Sequence, residues 1–216
     1  STVVERTGQT LLPAFHVKRF QGIPVAFIGL ALKDTPTIVV PDGVRGLAFR
    51  DEAETVNALV PELKRQGIEA IVVLIHEGGV PAGDYNECPG ISGPIVDIVK
   101  KLDRAVDLVV SGHTHRAYNC RIEGRLVTSA DKFGTMVSEI DLKLDRKTGG
   151  VMSAKAENLI VYNDRYAKDP AQTALISIYE KLAAPLAKRV VGHTGAALTR
   201  DTSPAGESPL GQVVAD

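Results

Sequence analysis

Histidine is the residue type whose placement in this chain carries most chemistry, because its two ring nitrogens exchange protons or bind metals near neutral pH. The five histidines are His16, His76, His113, His115 and His193. His76 directly follows the apolar run from Ala70 to Ile75, and Ser111-Gly112-His113-Thr114-His115 directly follows Leu108 to Val110. An unbroken apolar run of this length reads as a strand covered on both faces, the pattern of a parallel sheet. Between the runs lie a Gly- and Pro-containing loop and then Ile95, Ile98, Val99 and Leu102 at helical spacing. One strand-helix-strand step therefore separates the two histidine motifs. Such a crossover makes the strands parallel. Their C-terminal ends then open on one edge, where ligands bind in open α/β sheets. His76, His113 and His115 are expected to meet at that rim, although 37 residues separate the first two.

Neutral imidazole ligates Zn, Mn, Fe, Co and Ni alike. Two histidines flanking one residue in a turn after Gly112 can face two ions about 3.5–4 Å apart. Such a pair of ions clamps a phosphoryl oxygen and generates hydroxide at neutral pH, so no nucleophilic side chain is needed. Three imidazoles bring no negative charge, whereas two adjacent divalent cations call for bridging carboxylates. Asp84 lies in the loop beyond His76, and Glu77 is expected to point elsewhere. The rim thus holds half of a metal site. His16 and His193 follow no such pattern and read as ordinary residues. Ser111 and Cys88 lie near histidines, yet the G-x-S-x-G elbow of many serine hydrolases is missing. Gly78-Gly79 fits neither a phosphate-loop nor a dinucleotide fingerprint and reads as a loop turn.

The elements that must position these residues follow from periodicity. Val25 to Leu30 reads as a buried strand, and Thr37 to Val40 as a short second one. Asp51 and Glu54 have capping-box spacing ahead of Val56, Leu59, Val60 and Leu63, a helix that Pro61 should kink and Gly67 ends. Leu126 to Thr128 reads as a strand. Ile140, Leu142 and Leu144 alternate with Asp141 and Lys143, a half-exposed antiparallel strand whose partner returns over Val151 to Tyr162. Asp169-Pro170 opens a long helix with Leu175, Ile178, Tyr179, Leu182 and Leu186 as its apolar stripe and Pro185 inside it. Val190 to Leu198 is expected to open another strand, and Leu210 to Asp216 a helix.

At 216 residues, 44% apolar and 24% charged, the chain is long enough for a real core and too apolar for wholesale disorder. A net charge of −1 gives no general pull toward nucleic acid polymers or acidic membranes. Aromatics are 5% and Trp is absent, which argues against a base- or sugar-stacking surface. No run approaches the roughly 20 apolar residues of a membrane span. Cys88 and Cys120 are too few for a disulfide framework, and one bridge or two thiols are both open.

The histidine segments, together with Val25–Leu30, Gly46-Leu47-Ala48-Phe49-Arg50-Asp51 and Glu207-Ser208-Pro209-Leu210-Gly211-Gln212-Val213-Val214-Ala215-Asp216, resemble the metallophosphoesterase superfamily. More narrowly they resemble its bacterial 5′-nucleotidase / 2′,3′-cyclic-nucleotide phosphodiesterase family, whose motifs they follow in order through nearly all of the chain. The resemblance implies an α/β fold: the second half of a four-layer α-β-β-α sandwich over residues 1–162, a linker and helix over 163–190, and the beginning of a C-terminal substrate-binding domain over 191–216. It implies metal ligation by His76 and His113 at one ion and by His115 at another. The cofactors would be two divalent ions drawn from Zn, Mn, Fe, Co, Mg or Ca, and the reaction metal-hydroxide attack on a nucleotide phosphate ester. The family's D-x-H, G-D and G-N-H motifs are absent and would lie before Ser1, and its base-stacking aromatics would lie after Asp216. The resemblance therefore makes this chain the middle of a longer enzyme, with the N-terminal half of the same domain as its partner and little activity alone. A non-catalytic metal-binding or interaction module that kept the fold is the other reading. Each cysteine leaves the rim shortly after a histidine motif. The family likeness and a Cys88–Cys120 bridge together would put the protein outside the cytoplasm.

Overall fold

The computed structural model describes residues 2–215; Ser1, and Asp216 at the end of the Glu207–Asp216 segment, lie outside the described residues. The chain divides into a unit Ser1–Asn163 and a unit Asp164–Asp216. The first unit runs β1 (Thr2–Val4), β2 (His16–Phe20), β3 (Ile23–Leu30), α1 (Thr35–Ile38), β4 (Leu47–Phe49), α2 (Glu52–Arg65), β5 (Ala70–Ile75), α3 (Pro94–Lys101), β6 (Leu108–Val110), β7 (Ala117–Ile122), β8 (Arg125–Ala130), β9 (Met136–Leu144) and β10 (Val151–Ile160). The second holds α4 (Pro170–Ala187) and α5 (Pro209–Ala215).

The four runs read as buried strands form the parallel centre of a six-stranded sheet in the order β2-β3-β5-β6-β8-β7. Both edge strands are antiparallel to their neighbours. One face packs on α2 and α3, with Ile28, Ile71, Val73, Val109 and Val127 against Val56, Leu63, Ile95 and Val99, all essentially inaccessible. The other face packs Val25, Ala70, Val72, Leu108 and Leu126 under the β9–β10 hairpin through Ile140, Leu142, Leu144 and Ala154. Burial on two faces is why no polar residue interrupts β5 before its end. The layering is α/β as expected, with helices, a mixed sheet and a two-stranded sheet stacked in turn.

Asp51 caps α2 by accepting from Glu54 N at 3.1 Å, and the helix continues through Pro61 to Arg65. Thr37 to Val40 is not a strand. Pro36 sits in the first turn of α1, and Thr37 N donates to Asp34 O at 2.9 Å, closing a helical turn. The β-branched run is left exposed, so no sheet face favours extension. Val190 to Leu198 also forms no strand. Val190 and Val191 are 72% and 84% exposed, without the burial that offsets ordering a strand.

Asp107 ties β6 to β5: its Oδ2 accepts from Ile71 N at 2.9 Å. Burial raises its pKa, outweighing that bond and the nearby Lys64 and Arg125 charges. A carboxyl whose folded pKa is raised contributes most stability below its unfolded pKa, and that contribution falls as pH rises through the folded value. Asp107→Asn retains an acceptor for Ile71 N and removes the charge. It is expected to leave stability unchanged near pH 3 and raise it at about pH 7, the two sides of the carboxylate range. Urea midpoints at the two pH values check this; a lower midpoint at neutral pH contradicts it.

Candidate metal centre

Because β5 and β6 are parallel and in register (Leu74 beside Val110), the residues that follow them emerge side by side. His76 N donates to Leu30 O at 3.0 Å, continuing the sheet ladder by one residue. His76 Nε2 and His113 Nδ1 lie 3.3 Å apart, with ring centroids at 5.1 Å and planes at 68°. Two nitrogens bound tetrahedrally to one zinc at the usual bond length are about 3.3 Å apart. The observed separation and the neutral-imidazole chemistry both fit a shared divalent ion. His115 stands on the same loop but faces Phe133, with ring centroids 5.3 Å apart. Among the described residues, no group of three or more His, Cys, Asp or Glu side chains is arranged to hold a metal ion.

The turn that presents the histidines is left-handed at the histidines themselves, with φ of 65° at His113 and 54° at His115. Gly112 is not among the positive-φ residues, and the left-handed turn begins after it, at His113. Such conformations are uncommon outside glycine, though histidine adopts them more readily than most, and they persist only where surroundings hold them. Here Thr114 N donates to Gly112 O at 2.7 Å, Thr114 Oγ1 to Gly79 O at 2.7 Å, and Gly112 N to Glu77 O at 3.1 Å. The two histidine loops are thus laced directly together.

Tyr118 locks them from below. Its hydroxyl accepts from Gly79 N at 3.1 Å and lies 2.7 Å from Ser111 Oγ, which donates to Thr128 O at 2.8 Å. The side chain is fully buried, and burial raises its pKa, keeping the phenol protonated. The sequence reading does not single out Tyr118. The alternation of Tyr118, Cys120 and Ile122 with Asn119 and Arg121 is the period-two signal that marks it. Cys88 and Cys120 form a disulfide, Cα atoms 5.2 Å apart, that fastens the long loop after β5 to β7. Asn86 of that loop reinforces it, its Oδ1 accepting from Asn158 N at 2.7 Å and Asn119 Nδ2 at 2.6 Å.

Glu77 turns away from the histidines as expected. It is 7% exposed, accepts from Gly78 N at 2.8 Å, and lines a charged recess of about 350 Å³ with Glu52, Asp51, Asp97, Lys33 and Lys101. His16 lies on the exposed edge strand β2, and His193 belongs to the other unit.

No family model matches the chain. Over 99% of its length it is 31% identical to the endonuclease YhcR of Bacillus subtilis (strain 168), and it spans 17% of that protein. Over 50% of its length it is 32% identical to a 5′-nucleotidase of Vibrio cholerae, of which it spans 19%. The chain therefore corresponds to a fraction of each of these relatives. The crystal structure of a 5′-nucleotidase precursor from Thermus thermophilus superposes on 93% of the chain and 40% of its own, with a TM-score of 0.71 at 24% identity, which establishes a common fold. Relatives along the chain and a shared architecture agree with the histidine motifs and support the metallophosphoesterase superfamily that the motifs resemble.

Proposed function

We propose that this chain supplies the histidine side of a dinuclear phosphoesterase site acting on nucleotide phosphate esters, of the 5′-nucleotidase or cyclic-nucleotide phosphodiesterase type. The 3.3 Å separation of His76 Nε2 and His113 Nδ1 carries the reading. His76 and His113 would hold one divalent ion (Zn, Mn, Fe, Co, Mg or Ca), and His115 would help hold a second. When bound, such ions supply Lewis acidity toward a phosphoryl oxygen and make water nucleophilic at neutral pH. The chain's own residues contribute position. Tyr118, Ser111 and Thr114 fix the two loops, so the imidazoles need little reorganisation to bind.

Charge sets the limit of what these residues do alone. The rim offers neutral imidazoles, and Glu77 is engaged elsewhere. Bridging carboxylates are the normal offset for two adjacent cations. The site is completed by carboxylate ligands from the N-terminal half of the same domain, and the 216 residues by themselves bind metal weakly and turn over nothing. The Cys88–Cys120 bridge supports an extracytoplasmic location, since such bonds persist in oxidising compartments.

Zinc titration followed by calorimetry tests the reading. His76→Ala and His113→Ala are each expected to lower zinc affinity by about 10- to 100-fold, while His16→Ala leaves it unchanged. Equal affinities across all three variants would remove the proposal. Hydrolysis of p-nitrophenyl phosphate by the 216 residues alone would show that the site is already complete.

A further inference from the structure

The β9–β10 hairpin is closed along one edge and bare along the other. Ala154, Ala156 and Asn158 of β10 sit opposite Leu142, Ile140 and Ser138 of β9. Opposed residues of an antiparallel pair alternate between those that bond each other and those whose N–H and C=O point away. These three of β10 point away, because side chains from outside the hairpin meet them. Arg121 Nη2 donates to Ala154 O at 2.6 Å and Asn119 Nδ2 to Ala156 O at 3.3 Å. Asn86 accepts from Asn158 N at 2.7 Å and donates to Asn158 O at 3.1 Å. Ser138, Ile140 and Leu142 therefore point their backbone groups out of the opposite edge, where no described residue bonds them. The sheet beneath shows the same boundary. Thr128, Val110, Leu74 and Gly29 form one row across β8, β6, β5 and β3. Thr128 is inaccessible, its Oγ1 3.3 Å from Ser138 Oγ of β9. Val110 is half-buried, Leu74 is 42% exposed, and a Cβ on Gly29 would meet no atom within 4 Å. Cover thus fades step by step from β9 to β3. A central parallel strand is normally covered on both faces, and Leu74 is the one exposed residue of β5.

We propose that the bare edge of β9 takes a further strand, supplied by the N-terminal half of the same domain, which lies over Val110, Leu74 and Gly29. This rests on the reading that this half completes the histidine site. The uncovered strip adjoins that site: Leu74 is two residues before His76, and Val110 three before His113. A half that completes the site must lie against it. Main-chain bonds to Ser138, Ile140 and Leu142 give the strand its place, and the exposed apolar row gives it its pattern. The strand is apolar at alternate positions, on the face turned to Leu74. On the other face of the hairpin, Glu139 stands directly opposite Glu157, an unfavourable like-charge pair. A basic residue of the incoming strand beside Glu139 relieves it. A second β9 fits poorly, since two-fold pairing centred on Ile140 sets Glu139 against the other copy's Asp141.

Amide hydrogen exchange locates the strand. In the 216 residues alone, Ser138, Ile140 and Leu142 should exchange about 100-fold faster than Val137, Glu139 and Asp141, whose amides face β10. In a longer chain that carries the N-terminal half, the first three should be protected to the same degree as the others. Leu74→Cys introduces a single free thiol, since Cys88 and Cys120 are bridged. Its labelling by a maleimide should be about tenfold slower in the longer chain. Leu74→Lys should leave the unfolding midpoint of the 216 residues unchanged and lower the β9 protection in the longer chain about tenfold, because it buries an unpaired charge there. Fast exchange at β9 that persists in the longer chain, or unchanged labelling of Leu74→Cys, overturns the proposal. Protection that appears in the 216 residues alone and grows with their concentration assigns the edge to a second copy and overturns it too. Zinc uptake is read on the same samples. Zinc bound without protection of β9 refutes the strand and retains the metal reading. Protection of β9 without zinc uptake refutes the metal reading and retains the strand.

Discussion

Gly78→Ala is expected to destabilise the protein by about 3 kcal/mol or more, at the upper end of overpacking costs. The cause is local and unavoidable. A Cβ at position 78 would overlap Gly112 O and lie 2.6 Å from Thr114 Oγ1. Gly112 O belongs to the backbone of the other histidine loop, so it cannot swing aside as a side-chain tip can. Relief requires the two loops to separate, which strains the bonds Gly112 N to Glu77 O and Thr114 Oγ1 to Gly79 O. The same separation moves His113 from His76, so zinc affinity should fall with stability. Gly79→Ala is the control. Its Cβ would lie 2.8 Å from Ile91 Cδ1, the end of a flexible side chain, and equally close to Ile95 Cγ2 and Ser92 O, all outside the His113 loop. It should destabilise through the α3 side with less effect on zinc. Thermal unfolding and zinc titration on both variants check the pair. A Gly78→Ala protein of unchanged stability and affinity would mean that the loops are not in this close approach.

The role of Gly78 shows where sequence reading stops. Gly78-Gly79 reads as a turn because glycine pairs usually mark one, yet neither has positive φ and each is needed for a close approach. The close approach at Gly78 is to Gly112 on a loop 34 residues away, which no local pattern records. The parallel strands were legible for the opposite reason. Burial on both faces of β3, β5, β6 and β8 writes itself as apolar runs. With the strand-helix-strand step that makes β5 and β6 parallel, those runs sufficed to bring His76 beside His113. The edge strand β2 was not legible, since only Val17 of its residues is even partly shielded. β7 has no apolar run because Asn119 and Arg121, on the face turned to β10, donate to Ala156 O and Ala154 O; only its period-two alternation marks it. Thr37–Val40 misled because β-branched residues favour strands only where a neighbouring strand and a buried face exist.

A second large effect is expected at Arg125, a position without chemistry. It is 8% exposed at the start of β8, and its guanidinium donates to three carbonyls: Nε to Val106 O at 2.6 Å, Nη1 to Val99 O at 2.8 Å and Nη2 to Asp103 O at 2.8 Å. Val99 is in the last turn of α3, where its carbonyl also accepts from Leu102 N at 3.3 Å and a cation is favoured. Arg125 thereby joins the end of the crossover helix to the strand that lies beside β6. Burial lowers its pKa from the ordinary value, with Asp107 and Asp103 opposing the shift. Arg125→Ala removes a charged donor from each carbonyl, leaving Val99 O and Asp103 O only their backbone donors Leu102 N and Val106 N, and opens a cavity; it should cost about 3 kcal/mol. Arg125→Lys should recover only part, because one ammonium cannot reproduce the planar fork. Urea unfolding at constant m-value is the measurement. The structure also predicts what should not change. Arg125 acts at the end of β6 opposite the histidines, so at temperatures where Arg125→Ala remains folded its zinc affinity should match the unsubstituted chain. A variant that keeps its stability would show the three bonds to be dispensable. One that loses zinc while folded would show that the two ends of β6 are coupled, which the rigid, doubly covered centre of the sheet argues against.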